Sequence, residues 1–213
     1  MNNLEKIVVF FVKNFSRAIK RTELVKLIYY FEYNYRLLYG DSFCGVTFIR
    51  DKNGPFSREI PDAVVNVSDI IECKPYRTYY GNIGYKHVLR DEEVAMEVID
   101  TIPYNSFEVA MYVIEELSQL SLDEILDVVY NTPPVAIILE KEKSLEKYCI
   151  GEEINMNERK SVVFKPGKER IEEAKKRLNL ESRGSDDDYN GHLLAKIYAL
   201  KEARRRADRC LLN

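Results

Sequence analysis

Between Leu24 and Leu38 apolar residues return every three or four positions. Leu24, Leu27, Ile28, Phe31, Tyr35 and Leu38 share one face of a four-turn helix. Thr22 can serve as its N-cap, and Gly40 stands where a helix end takes a left-handed residue. A stripe this long must be covered by other elements, so the chain needs further helices or a sheet to pack on it. Leu4, Ile7, Val8 and Phe11 repeat the helical spacing upstream, within the run Ile7–Val12 that leaves little polar circumference. That run is six residues long and ends at Lys13, too short for a signal-peptide core or a bilayer span. The cytoplasm is therefore the expected location, with no membrane as partner.

After Gly40 the period changes. Val46, Phe48 and Arg50 alternate in a short strand pattern that ends in the turn residues Asp51-Lys52-Asn53-Gly54-Pro55. A brief helix or turn is expected over Ser57–Val65. Tyr79-Tyr80 and Tyr85–Val88 flank Gly81-Asn82-Ile83-Gly84 as a hairpin. Helices resume with Val94, Val98, Ile99 and Ile102 on one face, stopped by Pro103. Ala110, Val113, Ile114 and Leu117 form the next stripe. Ser121 and Glu124 make a capping box before Ile125, Val128 and Val129, and Pro133-Pro134 ends that helix. The fold class expected is α+β, predominantly α-helical, with a small antiparallel sheet.

Composition shifts late in the chain. Residues 150–213 carry fifteen Lys and Arg against twelve Asp and Glu, whereas residues 1–149 carry seventeen against twenty-three. Helical patterns persist at Ile171, Ala174 and Leu178 and from His192 onward. We therefore expect a domain over 1–145 and a helical, charged C-terminal extension over 146–213. The net charge of −3 argues against nucleic acid as the partner. Arg204-Arg205-Arg206 keeps a helical DNA-binding module open as a third reading, one that demands steep salt dependence.

Chemistry-bearing constellations are sparse. The four cysteines are isolated from one another and only two histidines exist, so neither a zinc site nor another cofactor site is expected. Gly81–Lys86 lacks the spacing of a phosphate loop, and a hairpin turn accounts for it. Asp186–Asp188 reads as a solvated helix start. One catalytic pattern stands as an alternative: Pro61-Asp62 followed by Glu72-Cys73-Lys74 matches the PD…ExK arrangement of Mg2+-dependent nucleases. There Asp62 and Glu72 would hold the metal and Lys74 would activate water. The other reading of these residues is a surface turn followed by a partly exposed strand.

The run Thr22–Tyr30 with its core Lys26-Leu27-Ile28-Tyr29, then Tyr39-Gly40, then Gly54-Pro55, resembles the Panacea domain family in order and separation. These are the SocA-like antitoxins, once grouped as phage-associated proteins. Leu120-Ser121-Leu122-Asp123-Glu124-Ile125 resembles the family's closing segment, so the likeness covers roughly residues 5–135. Asn53 stands where members often carry an aromatic residue, and the chain has no Trp where members often show Pro-Trp. The resemblance implies a non-catalytic, protein-binding domain. It would neutralise a partner directly, as an antitoxin, chaperone or protease adaptor, and the partner would be a toxin encoded beside it. Leu24, Leu27, Ile28 and Tyr29 are then core, and Gly40, Gly54 and Pro55 shape turns. Lys26 and Tyr30 are the motif members expected to be more exposed and to make contacts. Fifteen tyrosines also leave room for a self-interface, a homodimer.

Overall fold

The computed structural model describes residues 1–78 and 81–158. The helical patterns expected at 171–178 and after His192, the Asp186–Asp188 and Arg204–Arg206 runs, and Tyr79-Tyr80 lie outside the described residues. In chain order the elements are α1 (Asn3–Asn14), β1 (Ile19–Lys20), α2 (Arg21–Tyr39), β2 (Ile49–Asp51), β3 (Gly54–Phe56) and α3 (Glu59–Asn66). Then come β4 (Ile71–Arg77), β5 (Ile83–Leu89), α4 (Glu92–Asp100), α5 (Tyr104–Leu117), α6 (Leu122–Tyr130) and α7 (Pro133–Leu145). The fold is predominantly helical α+β with small antiparallel sheets.

Helix α1 is the middle of the core. Every residue from Ile7 to Val12 is buried, because α2, α3, α4 and α5 each pack against it. Asn2 caps it by accepting from the Glu5 amide at 2.9 Å, while the Glu5 carboxylate accepts from the Asn2 amide at 2.9 Å. Helix α2 buries Leu24, Leu27, Ile28, Tyr29 and Phe31, but its stripe runs out at the C-terminal end, where Leu38 is exposed. The cap is not Thr22. The helix begins one residue earlier, and the Lys20 amide donates to the Glu23 carboxylate at 2.8 Å. Gly40 ends it at φ 78°, the left-handed conformation its position calls for.

Two hairpins connect the helices. Strands β2 and β3 pair across the turn Lys52-Asn53, and β4 and β5 pair over seven residues each, with β1 added to β5 to give the order β1-β5-β4. In α4 the inward face is Ala95 and Ile99 with Val98 beside them, continued by the buried Ile102 just past its end; Val94 is exposed, one step off the stripe. The Ser121–Glu124 capping box forms as expected.

Pro133-Pro134 both ends α6 and opens α7. A proline is tolerated in the first turn, where its missing N–H has no intrahelical partner to lose, and α7 carries on for thirteen residues. The chain then returns to β2. The Arg50 amide donates to Glu152 O at 2.7 Å, the Gly151 amide to Arg50 O at 2.7 Å and the Ile154 amide to Phe48 O at 2.8 Å. Ile154 and Met156 are buried in the same core as α1.

Candidate functional site

The motif residues around Gly54-Pro55 form one tightly held unit. Gly54 has φ 86°, and a Cβ there would lie 2.4 Å from Cε1 of Tyr130, so the position excludes side chains on two counts. Lys26 is 2% exposed, contrary to the expectation of an exposed contact, and its Nζ donates to Pro55 O at 2.7 Å. Burial drives the Lys26 pKa down to about 7; Asp51 opposes the change and Arg50 adds to it. Tyr29 is fully buried, its ring edge-on to Phe48 at 5.2 Å. The Thr132 hydroxyl gives its proton to Val129 O at 2.6 Å, so the Tyr29 hydroxyl, 2.8 Å away, donates to Thr132 Oγ1. Tyr30 is half-buried rather than exposed, and burial pushes its phenol up to about 12. Leu24 and Leu27 are buried and Gly40 and Gly54 take positive φ, whereas Pro55, expected to shape a turn, lies within β3 opposite Arg50.

An ion pair closes this unit from the other side. Arg50 Nε and Nη2 donate to the two carboxylate oxygens of Glu142 at 2.9 and 3.1 Å, with both side chains buried. Burial alone would raise the Glu142 pKa. The hydrogen bonds from Arg50 and from the Cys149 amide outweigh it and hold the carboxyl below its ordinary value.

The second hairpin leaves a cavity open. Pairing of Cys73 with His87, Pro75 with Tyr85 and Ile71 with Leu89 puts Ile71, Cys73, Tyr85 and His87 on the face that looks toward the cavity. Between that face, the start of α2 and helix α3 lies a cavity of about 570 Å3. Leu24, Ile60, Val64 and Ile71 make its buried floor. Val65, 70% exposed, and Tyr85, 45% exposed, form an apolar lip. Arg21 and Arg90 line the same cavity and are exposed. Neither forms an ion pair among the described residues. His87 lines it too; the side chain is buried and its Nδ1 has no hydrogen-bond partner. Burial and, to a smaller degree, the Arg21 charge lower the His87 pKa, so the ring that lines the cavity is neutral at neutral pH, with its Nδ1 itself closed to solvent.

The three residues of the PD…ExK pattern are not gathered there. Glu72 also lines the cavity but is paired with Lys74 at 3.1 Å, and neither Lys74 nor Asp62, exposed on α3, lines it. Among the described residues no group of three or more His, Cys, Asp or Glu side chains is placed to hold a metal ion. Among them, too, no helix is long and apolar enough to cross a membrane.

The family model described as antitoxin SocA-like, Panacea domain, matches residues 24–134, just over half of the chain. This chain belongs to that family. No curated protein and no solved structure matches it. The SocA-like segment runs from α2 to the first residues of α7, so it contains both hairpins and all of the cavity lining except Arg21. Helix α1, the most buried element, precedes the Panacea match and completes its core. The cavity residues escaped the sequence reading because they come from α2, α3, β4 and β5 and share no spacing. The only local signal was the alternation Tyr85-Lys86-His87-Val88-Leu89, which places His87 in an inward row.

Proposed function

We propose that this protein is a non-catalytic binding module that neutralises a partner protein by direct contact, in the manner of an antitoxin or of a chaperone or protease adaptor. The observation that carries the proposal is the SocA-like family match over residues 24–134. The partner is a toxin encoded beside the gene, the location is cytoplasmic, and a homodimer is compatible with the exposed tyrosines. The domain over 1–145 supplies most of the folded body; the charged segment over 146–213 begins by completing that body through Ile154 and Met156 and then adds contact surface.

The test is growth rescue. The neighbouring reading frame is expressed alone and then together with this chain. Toxicity that this protein relieves while co-purifying with the toxin supports the reading; a harmless neighbour with nothing co-purifying removes its main support. The Asp62→Ala variant runs alongside. It rescues growth as wild type does, and neither protein cleaves DNA with Mg2+; cleavage that Asp62→Ala abolishes would restore the nuclease alternative.

A further inference from the structure

An open cavity with an apolar floor and lip, rimmed by exposed arginines, has the make-up of a binding site. The floor residues Leu24, Ile60, Val64 and Ile71 are already buried, yet the lip residues Val65 and Tyr85 stay exposed above them. Other described cations near carboxylates pair with them: Arg17 with Glu23, Arg50 with Glu142, Lys74 with Glu72, Lys141 with Glu152. Among the described residues Arg21 and Arg90 form no ion pair, and Arg21 rests over the Phe56 ring at 6.0 Å. Beside them the buried His87 Nδ1 lacks the partner that buried polar atoms ordinarily have. The cavity is thus specific in its chemistry: apolar surface on the floor and lip, the two arginines at one side, and one carboxylate, Glu72, that Lys74 already pairs.

The alternative way for this hairpin to recruit a chain is addition of a strand to the free edge of β4. That edge is blunted. It carries Pro75, which has no N–H to give, and the charged Glu72, Lys74 and Arg77. The face, rather than the edge, is what the fold leaves available.

We infer that the cavity between α2, α3 and the β4–β5 hairpin is the docking site for a segment of the partner protein that presents apolar side chains next to a carboxylate. The apolar side chains seat on Leu24, Ile60, Val64 and Ile71 under the Val65–Tyr85 lip, and the carboxylate meets Arg21 and Arg90 beside His87. Charge complementarity decides the sign: a basic or neutral segment would leave both guanidinium groups unpaired on a desolvated surface. The inference rests on the proposed partner-binding function and names its site.

Two measurements on the full-length chain test it. The first uses dodecanoate, an apolar carboxylate kept below its micelle concentration, with dodecyltrimethylammonium as the cationic counterpart. The chain has two histidines, so ring-proton NMR resolves them, assigned with a His192→Gln variant. Dodecanoate shifts the His87 signals saturably. Arg21→Ala and Arg90→Ala each weaken it about tenfold to a hundredfold, the range of one hydrogen bond to a charged group. The ammonium amphiphile binds at least about tenfold more weakly than dodecanoate. Equal binding of the two amphiphiles, an unmoved His87, or arginine variants that bind as wild type would overturn the site's chemistry.

The second measurement uses the toxin identified by growth rescue. Val65→Glu and Arg90→Glu, both at exposed positions, lose affinity for it about tenfold or more. Leu38→Glu, on an exposed patch at the far end of α2, binds as wild type. Circular dichroism and melting temperature show all three folded. Rescue that survives both cavity variants overturns the docking site and leaves the antitoxin reading standing. Wild-type protein that fails to rescue overturns the reading, and the partner segment with it. Slow maleimide labelling of the exposed cavity residue Cys73 in the free chain, read by peptide mass, would show that a segment of the chain itself occupies the site and would also overturn the inference.

Discussion

Hairpin β2–β3 is three residues a side and is gripped from several directions. Lys26 holds its Pro55 carbonyl, the Tyr130 ring covers Gly54, Glu142 clamps Arg50, and residues 151–154 pair along β2. Hairpin β4–β5 is seven residues a side, yet among the described residues its only strand neighbour is the two-residue β1 at Ile19 and Lys20. Its paired charges, Glu72 and Lys74, are solvent-exposed, and one of its faces opens on the cavity. The first hairpin gives its polar groups internal partners; beside the second, among the described residues, Arg21 and Arg90 form no ion pair and His87 Nδ1 no hydrogen bond. Stability and recognition are therefore separated in space: substitutions in the first unit unfold the domain, and substitutions around the second change what it binds.

The largest expected effect comes from the buried ion pair. Arg50→Met strands the Glu142 carboxylate and costs about 3–5 kcal/mol in denaturant unfolding, whereas Lys74→Ala in the second hairpin costs at most about 1 kcal/mol. Because the Glu142 pKa is held below 4.5, its contribution is complete above that pH and is lost as pH falls through the lower folded value. The difference between wild type and Arg50→Met therefore shrinks at acid pH. Equal costs at both pairs would erase the contrast between the hairpins.

Next come the glycines at matched conformations. Gly54 and Gly81 have φ 86° and 80°, but only Gly54 has a ring against it. Gly81→Ala costs about 1–2 kcal/mol for the left-handed backbone alone. Gly54→Ala adds about 1–3 kcal/mol of overpacking against Tyr130. Chemical denaturation of the two variants separates the conformational part from the steric part.

Smaller still at neutral pH is Lys26→Met. An amine with a folded pKa of about 7 and an ordinary value of 10.5 binds its proton in the unfolded chain first as pH falls. Its contribution therefore makes stability rise with pH between about 7 and 10.5. Lys26→Met flattens that rise, measured as unfolding free energy of wild type minus variant across the window, and an unchanged slope would mean the amine is not desolvated. Val65→Glu, at the lip, is expected to change stability by no more than about 0.5 kcal/mol.

Legibility followed from how local each interaction is. The helices of the core were readable because each carries its own apolar period and its own caps, as in the Ser121–Glu124 box and Gly40. Helix α7 was not, since a Pro-Pro pair reads as a stop while the position that makes it a start depends on where the next helix begins. Lys26 misled for a related reason: a lysine inside a helical stripe looks exposed until the carbonyl of Pro55, twenty-nine residues away, supplies its partner. Of the PD…ExK pattern, strand alternation puts Glu72 and Lys74 on one side of β4 as the pattern requires, while Asp62 stays exposed on α3 outside the cavity that Glu72 lines. The cavity was invisible for want of any spacing that links α2, α3 and β5.

Hydrogen–deuterium exchange of the full-length chain, with and without the toxin it rescues, tests the separation of the two hairpins most directly. The account predicts new protection in α3 and across β4–β5, over residues 59–66 and 71–89, with β2–β3 already slow to exchange and unchanged by the toxin. Protection that appears on β2–β3 while α3 and β4–β5 stay as they were would contradict it.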